Sequence, residues 1–223
     1  MNKNKSKKFK GIVVALKANF LIVEIDFRDF KDTSIDQFSK KITLLCTRRS
    51  KLDYQGLFIE VGDKVCIESI DYKNKRAVVS DVEPRQSFLK RPAVANVTLV
   101  SICISVDEPL FDMEQVSRFL LTAECAKIKP LIVLTKIDLI TKNELILYIN
   151  QIKSWGYDCL PVSIQNFQGI DSLIERFRKT KLTVLAGPSG AGKTSLINHL
   201  IPTVSLPTSS VSKKLKRGTH TTR

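Results

Sequence analysis

This chain lacks most of what would mark a secreted, membrane-bound or metal-clustered protein. Its five cysteines, Cys46, Cys66, Cys103, Cys125 and Cys159, include no pair closer than twenty residues in a chain of 223. That spacing is neither a disulfide framework nor a zinc knuckle. Several lie in apolar runs and read as small buried hydrophobes of a reducing compartment. Long hydrophobic runs are missing too. The most apolar stretch, 97–106, is broken by Thr98, Ser101 and Ser105 and is far too short to cross a membrane. The basic N-terminus is not followed by the apolar segment of a secretory signal. The expectation is a cytoplasmic chain with no membrane partner. Histidine is scarce, at two residues, so candidates for proton transfer are few.

What is present points to an acidic partner. Hydrophobic residues make up 43% and charged residues 26%, as in ordinary folded proteins. The length allows two modest domains, each with its own core. A formal charge of +14 and a pI near 9.6 most often accompany nucleic-acid binding. Lys3, Lys5, Lys7, Lys8 and Lys10 crowd one end, and Lys213, Lys214, Lys216, Arg217 and Arg223 the other, with no acid in either stretch. Such runs are commonly solvated tails, but they also supply salt-sensitive, sequence-independent affinity for an RNA backbone.

The organisation changes once along the chain. Residues 1–82 carry five short apolar segments at 9–16, 20–26, 41–47, 64–70 and 76–81, separated by turn signals at 17–19, 61–63 and 72–75. Five such strands fit a small OB-like barrel, which binds oligonucleotides or serves as a spacer. Arg48, Arg49 and Lys51, after the third strand, are candidate phosphate contacts or a solvated charge run. Residues 83–92 hold two prolines and no periodicity, and are expected to link the barrel to a second domain at 93–223. There, strands at 97–106, 130–135, 157–162 and 181–186 alternate with helices at 112–128, 141–155, 167–178 and 193–201. That is an α/β pattern, a parallel sheet covered on both faces.

Three strand ends in the second domain carry chemistry. The run Gly187, Pro188, Ser189, Gly190, Ala191, Gly192, Lys193, Thr194 matches GxxxxGK[ST], between the apolar strand 182–186 and a helix opening at Ser195. Glycines there let backbone N–H groups turn inward around phosphates at the positive end of a helix dipole. Lys193 would reach the β- and γ-phosphates and Thr194 would ligate Mg²⁺. Upstream, Leu131 to Leu134 runs into Thr135, Lys136, Ile137 and Asp138. A carboxylate at 138 accepts two hydrogen bonds from the N1–H and N2–H₂ edge of guanine, which adenine cannot donate, while the Lys136 stem covers the base. A third short strand ends at Ser163, where the hydroxyl and the Ile164 N–H would meet guanine O6. Strand-end loops of one such sheet converge on one crevice.

The order is unusual, because the base-reading residues precede the phosphate loop. In this the chain resembles the circularly permuted ribosome-assembly GTPases of the RsgA (YjeQ) type. The residues carrying the resemblance are the basic β-rich start, Arg91-Pro-Ala-Val-Ala-Asn-Val97, Thr135 to Asp138, Pro161-Val-Ser163, Gly187 to Ser195, and Arg217-Gly-Thr-His-Thr-Thr-Arg223. The resemblance implies an OB-fold domain, a circularly permuted GTPase domain, GTP/GDP and Mg²⁺ as ligands, and a monomer acting on the small ribosomal subunit and its rRNA. It also implies His220 as a switch histidine that orients the attacking water beside Lys193, with Thr221 or Thr222 as a further Mg²⁺ ligand. Two departures stand out. Thr135 replaces a usual Asn, removing an amide that helps tie the base loop to the phosphate loop. The family pattern also continues past Arg223 with an Asp-x-Pro-Gly-like segment and a Cys/His domain that would hold Zn²⁺, so an incomplete sheet is expected. Two other classes stay open: a P-loop kinase or ATPase, and a non-catalytic RNA-binding protein that keeps affinity for guanine nucleotides.

Overall fold

A computed structural model describes residues 8–26, 41–54, 56–108 and 112–207. The chain forms two compact units, one ending at Asn96 and the other beginning at Val97.

In the first unit, β1 (Phe9–Lys17), β2 (Phe20–Asp26), β3 (Lys41–Arg48), β4 (Lys64–Asp71) and β5 (Arg76–Val82) close into a barrel in the order β1-β2-β3-β5-β4, with β1 pairing back onto β4. The pairs are antiparallel except β3 with β5. Each strand lies within one residue of its expected bounds, because alternate residues such as Val13, Val23, Leu44, Val65, Ile67 and Val79 all turn into one buried core.

Two parts of this unit depart from the sequence reading. The basic loop after β3 contains a short helix, α1 (Ser50–Tyr54). The expected linker 83–92 carries structure of its own and stays with the barrel unit. It contributes β6 (Phe88–Lys90), which pairs with β7 (Ala93–Ala95). The Arg85 guanidinium donates from Nε and Nη2 to the two oxygens of fully buried Asp63, both at 2.8 Å, and Glu60 N–H donates to the same carboxylate at 2.8 Å. Beyond β7, the Asn96 side chain donates to Gly62 O at 2.9 Å. A buried charge is tolerable when it is paired and hydrogen-bonded in this way.

The second unit is a four-stranded parallel sheet of β8 (Leu99–Ser105), β9 (Lys129–Thr135), β10 (Cys159–Pro161) and β11 (Thr183–Ala186), in the order β10-β9-β8-β11. Between and after them run α2 (Met113–Cys125), α3 (Lys142–Ser154), α4 (Ile170–Arg178) and α5 (Lys193–Leu200). One face of the sheet packs Leu99, Cys103, Leu131 and Val133 against Leu173 of α4 and Leu196 of α5. The intervening residues Val100, Ile102 and Ile104 point the other way, where α2 lies on β8 and β9. A capping box between Thr141 and Glu144 starts α3. Because all four strands are parallel, their carboxyl ends deliver three loops to the same rim.

Candidate nucleotide site

The phosphate loop is shaped by backbone that only glycine adopts comfortably. Gly187 has φ 134°, and a Cβ placed there would come 2.1 Å from the Cys103 carbonyl oxygen of β8. The loop therefore lies directly on the central strand. Gly190 and Gly192 are also left-handed, at φ 86° and 79°. Gly192 is the N-cap of α5 and offers no side chain to cap it, which leaves the helix N-terminus to an anion. Ala191 is fully buried in the core beneath. Lys193 opens α5 and its ammonium donates to Gly187 O at 2.9 Å and Pro188 O at 2.7 Å, closing over the loop. Burial pulls its pKa below the usual lysine value.

The base loop is fastened to this one. At the end of β9, Thr135 is 4% exposed, and its hydroxyl lies 2.9 Å from Ala191 O and 3.2 Å from Ile104 O. The amide lost with the usual Asn is thus replaced by a hydroxyl that spans the same two loops, so the expected loss of the tie is corrected. Lys136 turns the chain at φ 60° and its ammonium donates to the Glu108 carbonyl. A 3-10 turn, Ile137–Leu139, then presents Asp138 on the rim.

Ser163 has a different role from the one expected. It is fully buried, and its hydroxyl donates to Asp138 Oδ1 at 2.5 Å while accepting from the N–H groups of Gln165 and Asn166 at 3.2 and 3.4 Å. The proton assigned to guanine O6 is committed to the carboxylate, so Ser163 orients Asp138. Backbone bonds staple the loops further: Val162 N–H to Leu134 O at 2.7 Å, and Ile137 N–H to Val162 O at 3.5 Å.

Between these loops opens a crevice of about 470 Å³ bounded by Lys136, Asp138, Ile164, Gln165, Gly192 and Ser195, among others. Lys136 and Asp138 of the base loop therefore line one cavity together with Gly192 and Ser195 at the end of the phosphate loop. The sequence reading missed Gln165, whose signal was its place just after Ser163 and Ile164.

Other candidates fare differently. Arg49 is ion-paired to the 3%-exposed Glu68 of β4, while its own side chain stays 56% exposed, so it is a partly engaged cation at the barrel surface rather than a purely solvated one. Arg48 ends β3 half-buried, and Lys51 is exposed on α1. His220, Thr221 and Thr222 lie outside the described residues. All five cysteines are free; burial pushes the thiols of Cys46 and Cys103 up to about 11 and about 12. Among the described residues there is no cluster of His, Cys, Asp and Glu able to hold a metal, and no helix long and apolar enough to cross a membrane.

Comparison with known proteins bears on the family and the fold. The model of the RsgA GTPase family matches residues 82–223. A Small ribosomal subunit biogenesis GTPase RsgA from Prochlorococcus marinus (strain NATL2A) is 87% identical over 223 residues, covering all of this chain and 72% of the relative. Its namesake from Parasynechococcus marenigrum (strain WH8102) is 47% identical over 213 residues, covering 96% of this chain and 69% of the relative. The crystal structure of YjeQ from Thermotoga maritima superposes with a TM-score of 0.75 at 29% identity, over 91% of this chain and 68% of that one. YloQ, described as a circularly permuted GTPase, does so with a TM-score of 0.70 at 25% identity, over 92% and 69%.

Proposed function

The chain belongs to the RsgA GTPase family, and from that premise we propose that it binds GTP, hydrolyses it to GDP and phosphate, and assists late maturation of the small ribosomal subunit. One observation carries the nucleotide reading: Asp138 and Gly192 bound the same crevice. The Asp138 carboxylate, held by Ser163, accepts from the N1–H and N2–H₂ of guanine, and the Lys136 stem covers the base. The N-terminus of α5 and the loop N–H groups receive the phosphates. Lys193 exchanges its bonds to two loop carbonyls for phosphate oxygens, and phosphate charge offsets the burial that disfavours its ammonium.

Hydrolysis on this scaffold is a matter of positioning and charge stabilisation. The Thr194 hydroxyl is a hard oxygen donor at the head of α5 and fits Mg²⁺, with Thr221 or Thr222 as a second candidate. When bound, that ion neutralises charge on the phosphates. His220 is the candidate for orienting water. The OB-like barrel and the basic ends serve rRNA, the chain works as a monomer, and the compartment is the cytoplasm. A P-loop kinase would leave the crevice at Asp138 without a role.

The test is Asp138→Asn with fluorescent GTP, GDP and ATP analogues. The exchange removes the charge and replaces an acceptor with a donor facing guanine N1–H or N2–H₂. Affinity for guanine nucleotides should fall at least about tenfold. Unchanged GTP affinity would falsify the reading.

A further inference from the structure

We propose that Phe167 is a positioning residue, a latch that fastens the guanine-reading loop to α5 and thereby sets how long the nucleotide stays bound. The inference rests on the guanine-nucleotide reading above.

The loop from Ser163 to Gly169 is bonded mainly to itself. Gln165 and Asn166 donate to the Ser163 hydroxyl, Ser163 N–H donates to Gln168 O at 2.9 Å, and Gln168 N–H donates to Asn166 Oδ1 at 3.2 Å. Gly169, at φ 73°, is pressed onto Pro161 O, where a Cβ would sit 2.0 Å away. These bonds give the loop a shape, and through Ser163 they hold Asp138. They do not hold the loop to the helix that opens with Lys193 and Thr194. Ile164 packs on the core cluster to which Leu196 of α5 belongs, and Phe167 contacts the helix directly, its ring 5.4 Å from the His199 imidazole and tilted by 41°.

Phe167 is conspicuous on two counts. It is 66% exposed, and its φ of 59° is left-handed, a conformation that a bulky L-residue keeps only when its surroundings hold it there. The ring pair with His199 is of the attractive tilted kind. His199 lies in the last turn of α5, the helix whose first turn bears Lys193 and Thr194. The pair thus ties the loop after Ser163 to the last turn of α5, at the opposite end of that helix from Lys193 and Thr194. For the crevice to open by movement of the loop away from α5, this contact has to break.

Release of a fluorescent GDP, chased with unlabelled GDP, tests the latch on the whole chain. Phe167→Ala should release GDP about 2- to 10-fold faster, the range that loss of one aromatic pair allows. Phe167→Tyr should restore the original rate. His199→Ala should match Phe167→Ala, and the double variant should be no faster than either single one. Phe167→Asn separates the ring from the backbone, because Asn tolerates the left-handed conformation. It should keep or raise the unfolding temperature and still release GDP fast. A stably folded Phe167→Asn chain with the parent release rate overturns the latch, and so do fully additive rates in the double variant. A parent chain that binds no guanine nucleotide would instead overturn the reading on which the latch rests.

Discussion

Two hydroxyls at the site show how a single residue type can be read correctly for place and wrongly for partner. Thr135 ends β9 and Ser163 follows β10 by two residues, close to where the sequence put them, but the bonds they make are visible only in three dimensions. Ser163 donates to a carboxylate at 2.5 Å, and a hydrogen bond to a charged group contributes about 1.5–3 kcal/mol. Ser163→Ala should therefore weaken GDP binding by roughly 10- to 100-fold in a titration with fluorescent nucleotide. Thr135 makes a neutral bond to the phosphate loop, worth about 1 kcal/mol. Thr135→Val should weaken binding by only about fivefold, and Thr135→Ser should retain it. Equal, negligible effects of Ser163→Ala and Thr135→Val would mean that neither hydroxyl holds the base loop. Arg49 teaches the complementary lesson. A charge run in sequence cannot show that a largely solvated cation also pairs with a buried glutamate 19 positions away, as Arg49 does with Glu68.

At the scale of elements, the barrel strands were legible to within a residue and the strands and helices of the second unit to within about three, because burial on one face imposes the period. The phosphate loop was legible because its glycines have no substitute where the chain touches Cys103 O. What was not legible depends on long-range partners. Residues 83–92 looked like a linker, yet Arg85 reaches back 22 positions to Asp63 and also stacks over the Phe88 ring at 4.4 Å. Arg85→Ala would leave Asp63 charged, buried and without its cation, a loss of about 3–5 kcal/mol by the measure of broken buried pairs. Arg85→Lys should fail as well, since an ammonium cannot supply the same planar pair of donors. Denaturant unfolding followed by circular dichroism should show the barrel transition moving to lower denaturant in both variants. A shift near zero would mean that Asp63 finds other partners. The capping box of α3 makes a second prediction, about pH. The Thr141 N–H donates to Glu144, lowering its pKa from the usual 4.5. A carboxyl with a depressed folded pKa contributes stability that is complete above its unfolded value and is lost as pH falls through the folded value. Glu144→Gln should therefore lower the unfolding temperature at pH 7 but come level with the parent once the pH has fallen through the depressed folded value. A difference that persists unchanged in acid would exclude the charge as its source.

For the whole molecule, charge is the property that the fold does not explain and the proposed partner does. The chain carries a formal +14, more than a nucleotide site needs, and ten cations sit in two acid-free terminal stretches. If these neutralise phosphates, binding to small ribosomal subunits releases counterions, and log K should fall linearly with log salt, by several decades per decade of salt for half a dozen contacts. Nucleotide binding, confined to one small site with the half-buried Lys193 beside it, should show a much shallower slope. Replacing Lys3, Lys5, Lys7, Lys8 and Lys10 together with Gln should lower the subunit slope by up to about five times 0.7, one increment for each contact removed. The nucleotide slope should not move. Sedimentation binding at about 50–200 mM salt resolves such changes. A subunit slope no steeper than the nucleotide slope would show that the excess charge serves solubility, and that shape-specific contacts of the barrel unit supply the affinity. An unchanged subunit slope in the five-lysine variant, with a steep parent slope, would move the phosphate contacts to the other basic stretch or to cations such as Lys51 on α1.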